Sequence, residues 1–139
     1  MVSVDSSQAH SGMRSVRVQG AGGYCNHVFF RPKAPQFPMG SPVYARFFLR
    51  FEKPLTPNHV TFLALRDEHE MKDLRMGGQS EILMWNRESD DATLPELSPT
   101  GIGMSLKPAP NKWLCVELLV DGKAGTLQTW VDGMPVIGL

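Results

Sequence analysis

The sequence predicts an all-β fold, an antiparallel sandwich or jelly roll, and three observations carry that expectation. Apolar residues recur with period two: in the run 43–52, Val43, Ala45, Phe47, Leu49 and Phe51 alternate with Tyr44, Arg46, Phe48, Arg50 and Glu52. Thirteen Gly and eleven Pro punctuate 139 residues and cut the chain into short pieces. About nine strand-like pieces separated by turn residues, with no internal repeat, suit one sandwich. The length is that of one domain, residues 1–139, able to bury roughly two-thirds of its unfolded surface.

Taken in order, the strand-like runs are 15–18, 27–31, 43–52, 59–66, 74–76, 81–86, 103–106, 113–120 and 126–131. Gly20-Ala-Gly-Gly23 closes the first, and no helix follows that would turn these glycines into a phosphate cradle. The run 43–52 is the clearest. Its first residue set makes a core face, and its second makes an aromatic and basic face that must meet water or a ligand. Pro54 and Pro57 separate it from 59–66, and residues 66–72 are the one stretch with helical character. Gly77-Gly78 reads as a turn between 74–76 and 81–86. Asp121-Gly-Lys-Ala-Gly125 predicts a hairpin of several residues, and Asp132-Gly133 a further turn.

Composition narrows the function classes. Lys+Arg and Asp+Glu both number 14, so the chain has no overall field to draw it onto nucleic acid or an anionic membrane. No apolar run approaches the ~20 residues of a spanning helix. The first residues lack the basic segment and apolar core of a signal peptide. Helical bundle, coiled coil and collagen are all disfavoured by the punctuation. Cys25 and Cys115 lie 90 positions apart. They read either as two buried thiols or as one disulfide worth ~4 kcal/mol in the chain-entropy account. No paired Cys or Cys/His set suggests zinc.

The segment 74–95 is the richest in chemistry. Arg75, Gln79, Trp85, Asn86 and Asp91 supply a guanidinium, two amides, an indole and a carboxylate. Amides and carboxylates pair with hydroxyls, and an indole covers the apolar side of a sugar, so the mixture suits carbohydrate. The competing reading is a polar hairpin with one Trp in the core. Arg46 and Arg50, expected about 7 Å apart at the backbone, suggest an anionic partner: a protein carboxylate such as Glu52, Glu81 or Glu117, or a uronic acid. None of His10, His27, His59 and His69 forms a metal-binding pair with another. His59, at the start of a strand, is either a structural donor or a general base.

Several segments together resemble a known group. They are Ala9-His-Ser-Gly-Met-Arg-Ser-Val-Arg-Val18, Gly22-Gly-Tyr-Cys-Asn-His-Val-Phe-Phe30, Tyr44-Ala-Arg-Phe-Phe-Leu-Arg50, Leu74-Arg-Met-Gly-Gly-Gln79, Trp113-Leu-Cys-Val-Glu117 and Leu127-Gln-Thr-Trp-Val-Asp-Gly133. Their order resembles the fungal cellulose-induced-protein and glucuronan-lyase group and its bacterial relatives, over residues 5 to 139. The resemblance implies a secreted, concanavalin-like β-jelly roll that acts on or binds polysaccharide, with some members cleaving uronic-acid polymers by β-elimination. It implies Arg75 as the neutraliser of the substrate carboxylate, with Gln79 and Asn86 as supporting donors and Asp91 at a further polar position. His59 or Tyr44 would move the proton, and Arg46, Arg50, Trp85 and Trp130 would bind sugar. A rival reading keeps the cleft but removes the chemistry, with Trp85 and Trp130 stacking in a binding module. The resemblance also implies a Cys25–Cys115 disulfide and a domain longer than 139 residues. Terminal strands, and the late carboxylate of a structural calcium site, are thus expected to be missing, so no cofactor is expected. An edge left open would invite pairing with a second copy.

Overall fold

Alternation becomes nine strands among the described residues of the computed structural model, which are 1–23, 27–30, 40–88, 105–136 and 139. They are β1 (Val2–Asp5), β2 (Ser15–Val18), β3 (Val43–Arg50), β4 (Val60–Asp67), β5 (Lys72–Gln79), β6 (Ile82–Arg87), β7 (Trp113–Asp121), β8 (Thr126–Val131) and β9 (Met134–Pro135). Three antiparallel sheets result, ordered β1-β2, β3-β7-β8-β9 and β4-β5-β6. The described residues contain no helix. The chain divides into two compact units, Met1–Pro38 and Met39–Leu139.

In the first unit, β1 and β2 pair from Val2↔Val18 to Asp5↔Ser15. Asp5 Oδ1 accepts the Ser7 hydroxyl at 2.6 Å and the Ser7 N–H at 2.7 Å. Those bonds favour the carboxylate and hold Asp5 below its usual range. The run 27–31 is not a strand over 27–30, where the His27 and Phe29 rings lie 5.5 Å apart, and Arg31 lies outside the described residues.

The second unit is a sandwich. From the four-stranded sheet, Leu114, Val116, Leu118 and Val131 face Leu55, Met76, Leu83 and Trp85, which belong to the three-stranded sheet and the segment before it. Ala45, Phe47, Leu49 and Phe51 pack against this cluster, as the alternation of β3 predicts. Met76, Leu83 and Val116 are fully buried, each contributing about 1.5–3 kcal/mol by leaving water. A polar contact crosses the core: Trp85 Nε1 donates to Thr129 Oγ1 at 2.8 Å, satisfying both buried groups.

Gly77-Gly78 is not a turn. Both residues continue β5, and Gly77 is glycine because the β4 backbone approaches closely. A Cβ on Gly77 would lie 1.7 Å from the Val60 carbonyl oxygen, beside the β4 irregularity between Thr61 and Leu63. One on Gly78 would lie 2.6 Å from Leu55 Cδ1. The reversal comes at Ser80-Glu81, both with positive φ, 53° and 67°. Two consecutive left-handed residues give the hairpin its compatible twist, although neither is glycine. The Ser80 N–H donates to the Pro57 carbonyl at 3.0 Å, and the Glu81 N–H to the Thr56 carbonyl at 3.2 Å.

Residues 66–72 form no helix: Asp67 ends β4, and its Oδ1 accepts the N–H groups of His69 and Glu70, making a turn. Residues 105–106 are not in a strand, and 103–104 lie outside the described residues. The Asp121 loop forms as predicted, with Asp121 Oδ1 accepting from the N–H groups of Lys123 and Ala124. Asp132-Gly133, with φ of 52° and 78°, joins β8 to the short β9.

Candidate functional site

Because side chains alternate, each sheet of the sandwich has an outer face, and the two lie on opposite sides of the core. The residues expected to bind or react with polysaccharide divide between them.

Arg75, Gln79 and Asn86 share the outer face of the three-stranded sheet. Arg75 stands opposite Asn86, and Gln79 opposite Ile82, through the β5–β6 register. His59 precedes β4, bracketed by the Val60↔Gly78 pair and the Pro57–Ser80 hydrogen bond, which sets its backbone beside Gln79. The side chain is exposed. Arg75 and Gln79 are four residues apart, about 13 Å along the strand, with Gly77 between them.

Arg75 is already engaged. Its Nη2 lies 3.6 Å from Asp73 Oδ2 and 3.3 Å from Glu88 Oε1, and its side chain is 24% exposed. Arg66 Nη1 bonds the same two carboxylates, at 3.0 Å to Asp73 and 3.4 Å to Glu88. Glu88 Oε2 also accepts the Asp73 N–H at 3.0 Å. Two guanidinium groups and two carboxylates sum to zero, so this end of the face offers no net positive charge to a uronate. Arg66, Asp73 and Glu88 escaped the sequence reading. Only strand pairing brings them together: the β4–β5 register places Arg66 opposite Asp73, and the β5–β6 register carries Glu88 alongside Asp73.

Tyr44, Arg46, Arg50 and Trp130 lie on the outer face of the four-stranded sheet. Arg46 stands opposite Glu117, and Glu117 opposite Trp130, in a row across three strands. Arg46 Nε donates to Cys115 Sγ at 3.2 Å and lies 3.7 Å from Glu117 Oε1, while its Cζ sits 5.6 Å from the Phe48 ring centre. The Cys115 hydrogen bond, with the Glu117 charge behind it, raises the Arg46 pKa further above its usual value. Arg50 is not its close neighbour. The two arginines are four residues apart, about 13 Å rather than 7 Å, with Phe48 between them. Arg50 Nη2 donates to Asn111 Oδ1 at 2.9 Å. Tyr44, Ala45, Arg46, Glu117, Leu118, Trp130 and Gly133 line an open depression of about 510 Å³.

Three expectations change or fall elsewhere. Trp85 is buried at 7% exposure and bonded to Thr129, so it fills the core and stacks on no sugar. Tyr44 lies on the other side of the sandwich from His59, so the two cannot share one proton-transfer site. Cys115 is a free thiol bonded by Arg46, and Cys25, like Asp91, lies outside the described residues. Among the described residues, no three His, Cys, Asp or Glu side chains gather as a metal site.

Comparison with known proteins agrees with this architecture. No curated protein sequence matches the chain. A solved structure, "Cellulose induced protein, Cip1", superposes with a TM-score of 0.85 at 42% identity, covering all of this chain and 63% of that one. The chain thus spans less than two-thirds of that relative's length, and it shares the relative's all-β, jelly-roll-like fold. The family model for the polysaccharide lyase-like, Cip1-like core domain matches residues 1–139. The chain therefore belongs to the polysaccharide lyase-like family, as a Cip1-like core domain.

Proposed function

We propose that the outer face of the three-stranded sheet binds a uronic-acid-containing polysaccharide and cleaves it by β-elimination. The observation that carries this reading is that Arg75, Gln79 and Asn86 share one face of the β5–β6 hairpin, with the exposed His59 in the segment leading into β4.

Elimination removes the C5 proton, forms the C4–C5 double bond and expels the C4 oxygen, which takes up a proton. The carboxylate at C5 must be relieved of charge for the proton to leave. Gln79, beside His59, donates an amide N–H to that carboxylate, and His59 takes the C5 proton as general base. With Tyr44 on the opposite face, the protonated His59 also returns the proton to the leaving oxygen. That requires the C5 proton and the leaving oxygen to lie on the same side of the sugar ring. Arg75 and Asn86 orient a neighbouring sugar, Arg75 less as a clamp than as one member of a balanced charge cluster. An extracellular setting, where such a polymer is met, is part of the same proposal.

The test is absorbance near 232 nm, where the new conjugated double bond absorbs, during incubation with glucuronan, alginate and pectate. The expected result is a rise with glucuronan or with the mannuronate of alginate, whose C5 proton and C4 oxygen share one side of the ring, that His59→Ala and Gln79→Ala each abolish. Pectate, where the two lie on opposite sides, is expected to give none. No rise, with retention of the protein on a polymer, would assign binding without cleavage and overturn the catalytic reading.

A further inference from the structure

The other side of the sandwich holds a cation in a different setting, and we infer that it is a second, separate polysaccharide-binding surface. Arg46 grips a uronate there, between the rings of Tyr44 and Trp130.

Three contacts fix the Arg46 guanidinium: Cys115 Sγ and Glu117 Oε1 at its Nε, and the Phe48 ring beside it. All three act on one edge or on the face of the group. Neither Nη nitrogen makes a hydrogen bond or ion pair with the described residues. A planar fork with two such donors, already oriented, matches a carboxylate in bidentate fashion, and its ordering cost has been met by the fold. The side chain is 65% exposed, so a polymer can reach it.

The neighbours suit a sugar rather than a protein. Tyr44 is 71% exposed and two residues from Arg46 on the same strand face, about 7 Å away along it. Trp130 ends the row Arg46–Glu117–Trp130, whose strands lie about 4.8 Å apart. A phenol and an indole flank the cation, with a carboxylate between. Rings of this kind cover the apolar side of a pyranose, and Glu117 accepts its hydroxyls. The depression they line is open, as a site for an internal stretch of a long polymer must be, since such a chain cannot enter an enclosed pocket. Nothing in this row requires a proton-transfer group, so the surface anchors polymer while the opposite face acts on it.

Affinity electrophoresis in gels carrying glucuronan or a neutral β-glucan tests the surface directly. Arg46→Ala is expected to weaken retention by glucuronan roughly tenfold while leaving that by the neutral glucan nearly unchanged. Arg46→Lys restores only part, because an ammonium lacks the fork. Tyr44→Ala, at a side chain too exposed to matter for folding, weakens retention by both polymers severalfold. Lys123→Ala, in the exposed β7–β8 loop, leaves both retained. Unchanged mobility in Arg46→Ala and Tyr44→Ala would overturn the inference, as would no retention of the unaltered protein. The catalytic proposal fails separately: an absent 232 nm signal leaves this surface standing, and a 232 nm signal with unaffected Arg46 and Tyr44 variants removes this surface alone.

Discussion

The two outer faces of the sandwich arise from the same alternation of side chains, yet they treat their arginines differently. On the three-stranded sheet, Arg66 and Arg75 face Asp73 and Glu88, and every charge has an opposite partner within 3.6 Å. On the four-stranded sheet, Arg46 has one carboxylate near it, at 3.7 Å, and otherwise a sulfur and an aromatic ring. The first arrangement neutralises its cations and builds a polar, half-buried surface at the end of β5 away from Gln79. The second holds its cation in place without matching its hydrogen-bonding fork. An arginine's presence on a face therefore says little about anion binding; what decides is which of its nitrogens the protein has already satisfied.

The largest effect should come from removing the proton-transfer group on the first face. His59→Ala is expected to lower the 232 nm rate by about 10²–10⁴, with polymer retention kept by the second face; a variant that loses both together would mean the faces are not independent. Next in size is damage to the partition between them. Trp85→Ala should cost about 3–5 kcal/mol in urea unfolding. Trp85→Phe, which keeps most of the packing but leaves the Thr129 hydroxyl without its donor, should cost less, about 1–3 kcal/mol.

A smaller change makes one face resemble the other. Glu88→Gln removes one of the two carboxylates that hold Arg75 and Arg66, freeing positive charge on the three-stranded face. KM for glucuronan should fall by up to about fivefold, the scale of a partly exposed ion pair. The gain should shrink at high salt, and a KM that does not move would show that Arg75 never meets the substrate carboxylate. Smaller again is relief of the left-handed Ser80, next to Gln79. Ser80→Gly should raise stability by about 1 kcal/mol, read as a higher urea midpoint with an unchanged slope.

The smallest effect concerns pH. The Glu70 and His69 N–H groups and the Arg87 charge hold Asp67 below the usual carboxylate range, against the opposing pull of desolvation. A carboxyl whose folded-state pKa is depressed stabilises the fold above its unfolded pKa, about 4, and loses that contribution as pH falls through the folded value. Amide exchange in the β4–β5 turn should therefore speed up below about pH 4, and Asp67→Asn should flatten that dependence.

Much of this was legible in the chain itself. Period-two alternation alone assigned the core side of β3, because burying one face of a pleated strand forces every second residue inward. Asp121 and Asp132-Gly133 announced their hairpins because the turn chemistry is local. The resemblance carried by short motifs reached the correct family. Register and packing decided the rest. Whether Trp85 stacked on sugar or filled the core depended on Thr129, 44 positions away on the opposite sheet. Gly77-Gly78 looked like a turn, and only the approach of the Val60 backbone explains why Gly77 tolerates no side chain. The partners of Arg46 and Arg75 come from strands paired across long stretches of sequence. Composition and alternation determine which residues face outward, but only the tertiary pairing determines which charges meet, since Coulomb and hydrogen-bond energies fall off within a few ångströms.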